Sequence, residues 1–167
     1  MSQAFPLAHS CLNSARTKHS ARHNSHGTDR SHRYRCLARL TMTDPGHLNA
    51  LSDAMLAELS AGFAVLATDR SIRVVILAAT GKAFCAGHNL KEMQANRQAP
   101  DQGAAYFANL FERCATLMQI ITALPQPVIA EVQGIAVAAG CQLVATCDMA
   151  VAADAAFGVD ATGVGFV

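Results

Sequence analysis

Short apolar runs alternate with longer stretches of three- and four-residue apolar spacing, and this alternation restricts the possible folds more than any other feature. Runs rich in β-branched residues are typical of strands buried on both faces of a sheet. The predicted strands are residues 37–42, 74–78, 127–132 and 149–152. Since helices separate these strands, the chain is predicted to be an α/β protein with a largely parallel sheet.

Two long amphipathic helices are predicted between the strands. The first has apolar residues at Leu51, Met55, Leu59, Phe63 and Leu66, with Asn49 or Ser52 as its N-cap. The second has them at Phe107, Leu110, Phe111, Cys114, Leu117, Met118, Ile121 and Leu124, and it ends at Pro125. We interpret this second stripe as core packing rather than as a cofactor site. A third helix, of small residues, is predicted over 134–147.

Composition and charge exclude several classes of protein. The 167 residues are 51% apolar and 15% charged, which is enough for one domain with a packed core. Residues 37–167 carry a net charge of −4 and no basic stripe, so nucleic acid is not an expected partner. The longest late uncharged stretch, 132–147, is too short and too polar for a membrane span.

Residues 1–36 differ from the rest of the chain. They carry a net charge of +5, are rich in Ser, His and Arg, and lack apolar periodicity, so we expect disorder there. Three interpretations compete: an organelle transit peptide, a metal site, or a segment foreign to the fold through a misplaced start or shifted frame. We favour the last. The metal site would use His19, His23, His26 and His32.

Two glycine-containing loops are candidate functional elements. The first, 82–93, follows a predicted strand, and Ala86 and Gly87 remove the side-chain bulk around the backbone N–H of His88. The second, 132–143, leads into a helix whose first N–H groups have no internal partners. Together such loops form a pocket for a carbonyl oxygen that gains negative charge. Close helix–sheet packing is the structural alternative for each loop.

These loops resemble a known family. The stretches 48–51, 83–93, 127–130, 133–134, 139–143 and 147–148 occur in the order and spacing of the enoyl-CoA hydratase/isomerase (crotonase) superfamily. The similarity covers residues 37–158 and is greatest to one subgroup, the enoyl-CoA hydratase domain-containing proteins. It implies a crotonase-like ββα spiral, which we expect to be incomplete at the C-terminus.

The resemblance also implies a set of site residues. The backbone N–H groups of His88 and Ala139 would be the two oxyanion donors. The predicted coenzyme A contacts, some to its pantetheine and adenine, are Gly46, His47, Leu48, Ala50, Ala86, Gly87, Asn89, Leu90, Lys91, Ala138 and Gly140. Coenzyme A would enter as part of the substrate, and no separate cofactor or metal is expected.

The chain departs from the family where proton transfer takes place. Family hydratases use two glutamates, and the first position holds Gln142, whose amide does not exchange a proton near neutral pH. The second position falls at Ala161, with Asp160 one residue short. Asp160 or the His88 imidazole is the candidate substitute base. Efficient hydration is therefore not expected, whereas polarisation of a bound thioester is.

Three functional hypotheses follow from the resemblance. The first is an acyl-CoA-binding protein of fatty-acid metabolism, a lyase by family. The second is a catalytically silent CoA-ester-binding or assembly subunit, and the third is a truncated, inactive fragment. The expected partners are an acyl-CoA thioester and, at full length, a trimer or dimer of trimers. Six cysteines without a CxxC pair predict reduced thiols and a cytoplasmic location, with the mitochondrial matrix as the alternative.

Overall fold

The computed structural model describes residues 7–11, 36–153, 155, 157 and 158, with residues 7–11 described by their backbone. The strands are β1 (Leu7–Cys11), β2 (Leu37–Met42), β3 (Val74–Ala79), β4 (Ala83–Cys85), β5 (Val128–Val132), β6 (Ile135–Val137), β7 (Met149–Ala152) and β8 (Phe157–Gly158). The helices are α1 (Asp53–Thr68), α2 (Leu90–Asn96), α3 (Ala104–Thr122) and α4 (Ala139–Thr146). None of the helices in these ranges is long and apolar enough to cross a membrane.

A five-stranded sheet forms the centre of the fold. Its strand order is β1-β2-β3-β5-β7, and the last four strands are mutually parallel. Leu40, Leu77 and Ala130 lie in one row across β2, β3 and β5, and all three are fully buried. All four strands predicted from the sequence are present, so the prediction of a largely parallel sheet is confirmed.

A second, three-stranded parallel sheet has the order β4-β6-β8. Each of the strands β3, β5 and β7 of the large sheet is followed along the chain by one strand of the small sheet, namely β4, β6 and β8 respectively. Helices follow the first two strand pairs. The repeat is the predicted ββα spiral, and it places the ends of β4 and β6 side by side.

Helix α1 packs against β1 and β2 of the large sheet. The Ser52 side chain caps α1 by accepting a hydrogen bond from the Met55 backbone N–H at 3.1 Å. Ser52 is one of the two N-cap residues predicted for this helix. All five residues of the first predicted stripe are buried. Helix α3 packs against α1 through its own buried stripe, consisting of Leu110, Cys114, Leu117, Met118 and Ile121. Phe111 does not belong to this core, contrary to the sequence prediction, because 53% of it is exposed.

The structure corrects three further predictions of secondary structure. Residues 134–147 do not form one helix, since β6 and a sharp bend at Ala138 precede the shorter α4. The segment 83–96 contains β4 and α2, which the sequence analysis treated as a loop. Strand β1, in the segment predicted to be disordered, pairs antiparallel with β2. The rest of residues 1–35, including His19, His23, His26 and His32, lies outside the described residues.

Candidate functional site

The loop between β4 and α2 is held against the segment that precedes α1. The Leu51 N–H donates to the Gly87 carbonyl at 2.7 Å, and the Ala86 N–H donates to the Leu48 carbonyl at 3.1 Å. Gly87 has φ +85°, in the left-handed region where glycine is favoured. These constraints fix the backbone of His88 at the end of β4.

The bend between β6 and α4 approaches β4 closely. Ala138 has φ +49°, a conformation that costs a residue with a Cβ about 1–3 kcal/mol. Its N–H donates to the Gly158 carbonyl at 2.8 Å, which holds the bend in place. A Cβ on Gly140 would lie 2.8 Å from the carbonyl carbon of Cys85, so the first turn of α4 packs directly on the β4 backbone.

The two loops contact each other beside His88. A Cβ on Gly87 would lie 3.0 Å from the Ala138 Cβ and 3.4 Å from the Ala139 nitrogen. Neither the His88 nor the Ala139 N–H donates a hydrogen bond to any other residue that the structure describes. For Ala139 this is the usual state of the first residue of a helix. The structure therefore brings together the two residues that the sequence analysis selected as oxyanion donors.

A cavity of about 590 Å³ lies between α3 and α4, next to these loops. It is lined by His88, Phe111, Cys114, Ala115, Ala138, Ala139, Cys141, Gln142 and Ala145. Its volume is within the range of small-molecule sites in proteins. Most of the described wall is apolar, and its polar side chains among the described residues are His88 and Gln142. The cavity can therefore accommodate an apolar group whose polar end faces the two loops.

The imidazole of His88 contributes a neutral polar group to this wall. Burial lowers the pKa of His88, and the Leu51 backbone opposes the shift. The ring nitrogen Nδ1 is buried and has no hydrogen-bond partner among the described residues. The ring meets the Phe111 ring edge-on, with centroids 5.8 Å apart and an interplanar angle of 69°. A neutral imidazole can accept a proton, as the sequence hypothesis of a substitute base requires.

Gln142 lies on α4 with its side chain exposed at the cavity wall. The position that the resemblance assigns to a proton-transferring glutamate is therefore at the cavity, but it carries an amide. Asp160 and Ala161, the other two positions of the predicted machinery, lie outside the described residues. In the described part of the wall, His88 is the one side chain with a basic ring nitrogen.

Asn49 ties together the loops on the other side of His88. Its side chain is fully buried, and Nδ2 donates to the carbonyls of Thr80 and Ala83 at 2.8 Å each. Oδ1 accepts from the Asp44 N–H at 2.9 Å. From the sequence, Asn49 is predicted as a helix cap and lies in the family-like stretch 48–51. Its cross-loop role depends on residues more than thirty positions away, which no local pattern indicates.

The remaining predicted coenzyme A residues follow β2 or lie at the start of α2. Gly46, His47 and Leu48 are exposed, whereas Ala50 is buried. Near α2, Leu90 and Lys91 are exposed and Ala86 is partly buried. Asn89 caps α2, because its side chain accepts from the Lys91 and Glu92 N–H groups at 3.1 and 3.3 Å. Since Ala86 donates to Leu48, the two predicted groups are neighbours.

Three thiols, those of Cys85, Cys114 and Cys147, are poor nucleophiles. Burial raises the pKa of Cys85 and of Cys147 to about 12, and it also raises the pKa of Cys114. These thiols are therefore protonated at neutral pH. Within the described ranges, no three His, Cys, Asp or Glu side chains are grouped so that they could hold a metal ion.

Comparison with known proteins identifies the relatives of this chain. The family model described as "Enoyl-CoA hydratase/isomerase" matches residues 32–167. Enoyl-CoA hydratase domain-containing protein 3, mitochondrial, from Xenopus laevis is 44% identical over 106 residues, which is 64% of this chain and 34% of that protein. The Homo sapiens protein of the same name is 41% identical over 106 residues, covering 64% and 33%. The predicted family and subgroup are thereby confirmed.

Solved structures agree with this result. An enoyl-CoA hydratase from Mycobacterium smegmatis matches with a TM-score of 0.70 and 55% identity, covering 78% of this chain and 49% of that one. Human enoyl-CoA hydratase domain-containing protein 3 matches with a TM-score of 0.66 and 40% identity, covering 73% and 47%. The chain thus spans about a third of these curated relatives and about half of these solved chains. The crotonase fold predicted from the sequence is confirmed.

Proposed function

Because the chain belongs to the enoyl-CoA hydratase/isomerase family, we propose that it binds acyl-CoA thioesters of fatty-acid metabolism and polarises their carbonyl group. In this proposal the thioester oxygen accepts hydrogen bonds from the backbone N–H groups of His88 and Ala139. The acyl chain occupies the cavity between α3 and α4. The coenzyme A part runs along Gly46, His47 and Leu48, with Lys91 beside its phosphates.

The observation that supports the proposal best is the contact between the two loops. A Cβ on Gly87 would lie within 3.4 Å of the Ala138 Cβ, the Val137 carbonyl oxygen and the Ala139 nitrogen, and the N–H groups at 88 and 139 have no acceptor among the described residues. Two unpaired donors beside one cavity suit an oxygen atom that gains negative charge. The N-terminal end of α4 adds the positive end of a helix dipole at the same place.

The chemistry of the cavity wall favours binding and polarisation over rapid hydration. Loss of a general acid–base group lowers a rate by roughly 10²–10⁴-fold. With an amide at Gln142, the two-glutamate route to hydration lacks at least one of its groups. The same observation favours the second candidate function, a catalytically silent subunit that binds CoA esters or assembles with a longer relative.

We predict a cytoplasmic protein, with the mitochondrial matrix as the alternative that the names of the frog and human relatives favour.

Paired ligands test the carbonyl contact directly. Calorimetry would compare a non-hydrolysable acyl-CoA ketone, which keeps the carbonyl group, with the S-alkyl thioether that lacks it. The ketone is expected to bind about two- to twelvefold more tightly, which corresponds to about 0.5–1.5 kcal/mol for one net hydrogen bond. Equal affinities for the two ligands would refute the role of the carbonyl group.

Two substitutions at one position assign the donor. Ala139 is the first residue of α4, where proline is tolerated and removes only the N–H. Ala139→Pro leaves the His88 N–H in place and is expected to lose part of the preference for the ketone, whereas Ala139→Gly, which keeps both N–H groups, is expected to retain all of it. A thermal melt of each variant controls for folding. Retention of the full preference by the proline variant would refute the assignment of this donor.

Hydration is tested separately with crotonyl-CoA. Loss of the enoyl absorbance is expected to be slower than in a two-glutamate family hydratase by at least about 10²-fold. A rate equal to that of such a hydratase, measured at the same protein concentration, would contradict the interpretation of Gln142.

A further inference from the structure

Phe111 has an unusual environment for an aromatic residue on an amphipathic helix. It lies in the apolar stripe of α3, yet 53% of it is exposed, and its ring lines the cavity next to His88. Its neighbour Leu110 is 2% exposed, so the helix turns one residue into the core and the next into the cavity. An exposed ring in a concave wall is available to a ligand in a way that a core ring is not.

Among the described residues, Phe111 makes two aromatic ring contacts. The His88 ring meets it edge-on with centroids 5.8 Å apart. The Phe107 ring, one turn earlier on α3, is stacked beside it at 6.4 Å and 23°. An aromatic ring has a negative face and a positive edge, so the ring of Phe111 can also take a ligand ring in a stacked or edge-on arrangement. The end of the cavity near His88 is thus one wall of an aromatic cluster.

The opposite side of the cavity leaves space for a bulky group. Among the described lining residues, those other than Phe111, His88 and Gln142 are alanines and cysteines. Small side chains on α4 and Ala115 on α3 therefore border a volume of about 590 Å³, with Phe111 at its edge. A wall of this kind selects for the shape of a ligand at the large flat side chain of Phe111.

We propose that the acyl group bound here carries a planar aromatic ring that packs against Phe111, which makes Phe111 the residue that determines acyl specificity. The inference rests on the proposed function, since it places the ring on the acyl part of the same CoA thioester. The thioester carbonyl lies at the N–H groups of His88 and Ala139, and the ring extends along α3.

Two ligands of nearly equal size separate ring stacking from simple apolar burial. Phenylacetyl-CoA and cyclohexylacetyl-CoA have the same number of carbon atoms, but only the first has a planar π-system. Burial alone favours the saturated ring, because it removes more apolar surface from water. The aromatic pair reverses this order. We expect phenylacetyl-CoA to bind more tightly by up to about twelvefold, which is the upper limit for one aromatic pair before the opposing burial difference is subtracted.

Calorimetry on the full chain measures both dissociation constants for the wild type and for two matched variants. Phe111→Leu keeps an apolar side chain in the wall and is expected to abolish the preference for the phenyl ring. Phe107→Leu makes the same change one turn away, at a residue that does not line the cavity, and is expected to retain the preference. Thermal melts establish that both variants fold. The comparison of the two ligands on the wild-type protein does not depend on the folding of any variant.

Each outcome of this experiment either supports or overturns the role of Phe111 in acyl specificity. A wild-type preference for phenylacetyl-CoA that disappears only in Phe111→Leu supports the inference. Equal binding of the two ligands, or tighter binding of cyclohexylacetyl-CoA, overturns it and leaves the proposed function intact. A preference lost equally in both variants overturns the assignment to Phe111. Absence of binding by either ligand overturns the inference together with the proposed function.

Discussion

Replacing Gly140 with alanine is a demanding test of how the site is built. The new Cβ would lie 2.8 Å from both the carbonyl carbon and the Cβ of Cys85, and closer still to the Cys85 carbonyl oxygen. Two of these atoms belong to the backbone of β4, so no flexible side chain can yield. The start of α4 would have to move away from β4, and the Ala139 N–H would move with it.

The magnitude follows from two opposing effects. Overpacking costs typically about 1–3 kcal/mol, and contact with backbone places this site at the upper end. Alanine gains about 1 kcal/mol over glycine in helix propensity, which leaves a net loss of about 1–2 kcal/mol. For a chain of this length the loss corresponds to a fall of about 2–8 °C in the thermal midpoint.

Thermal unfolding followed by circular dichroism measures this change. Gly46→Ala is the matched control, because a Cβ there has no atom within 4 Å, and its midpoint is expected to stay within about 2 °C of the wild type. A Gly140→Ala midpoint equal to or above that of the wild type would refute the reasoning. It would show that α4 and β4 are not in direct backbone contact.

Three further predictions concern charge and proton transfer. Asp148→Ala removes the acceptor of the Val128 N–H (2.7 Å), and we expect it to lower the free energy of unfolding in urea by about 1–3 kcal/mol. Glu131→Ala, which breaks the exposed ion pair with Arg39, should lower it by less than about 1 kcal/mol. Equal losses in the two variants would contradict this prediction. Since burial lowers the pKa of His88, its stabilising contribution is complete above the unfolded value of about 6.5 and is lost as the pH falls towards the folded pKa. His88→Gln should therefore flatten the fall of the thermal midpoint below that pH, and an unchanged slope would argue against it. Gln142→Glu is expected to accelerate loss of crotonyl-CoA absorbance by up to about 10²–10⁴-fold, and no gain over the wild type would argue against a proton-transfer position there.

The predictable part of the fold is the part that local patterns encode. The stripe from Leu51 to Leu66 and the run at 74–78 predicted α1 and β3 because burial on one or both faces leaves a periodic trace. The short strands β4 and β6 left no such trace. Each has three residues and is stabilised by pairing with the other, so their existence depends on partners distant in the sequence.

The candidate site divides in the same way. Family motifs placed His88 and Ala139, and both line the cavity. The apolar stripe of the second predicted helix wrongly assigned Phe111 to the core, because such a stripe gives the direction of a side chain only to within a fraction of a turn. Asn49 was seen as a cap, although its hydrogen bonds cross to Thr80 and Ala83.

The sequence by itself therefore determined the order of the main strands and helices, the family, and the absence of a carboxylate at Gln142. These properties reside in composition, periodicity and motif, which need no knowledge of the third dimension. Only the tertiary structure decided that the loop of Gly87 lies beside Ala139 and that Phe111 faces a cavity. Both features depend on the distances between the helices α3 and α4 and between the strands β4 and β6. The packing of the whole core sets these distances.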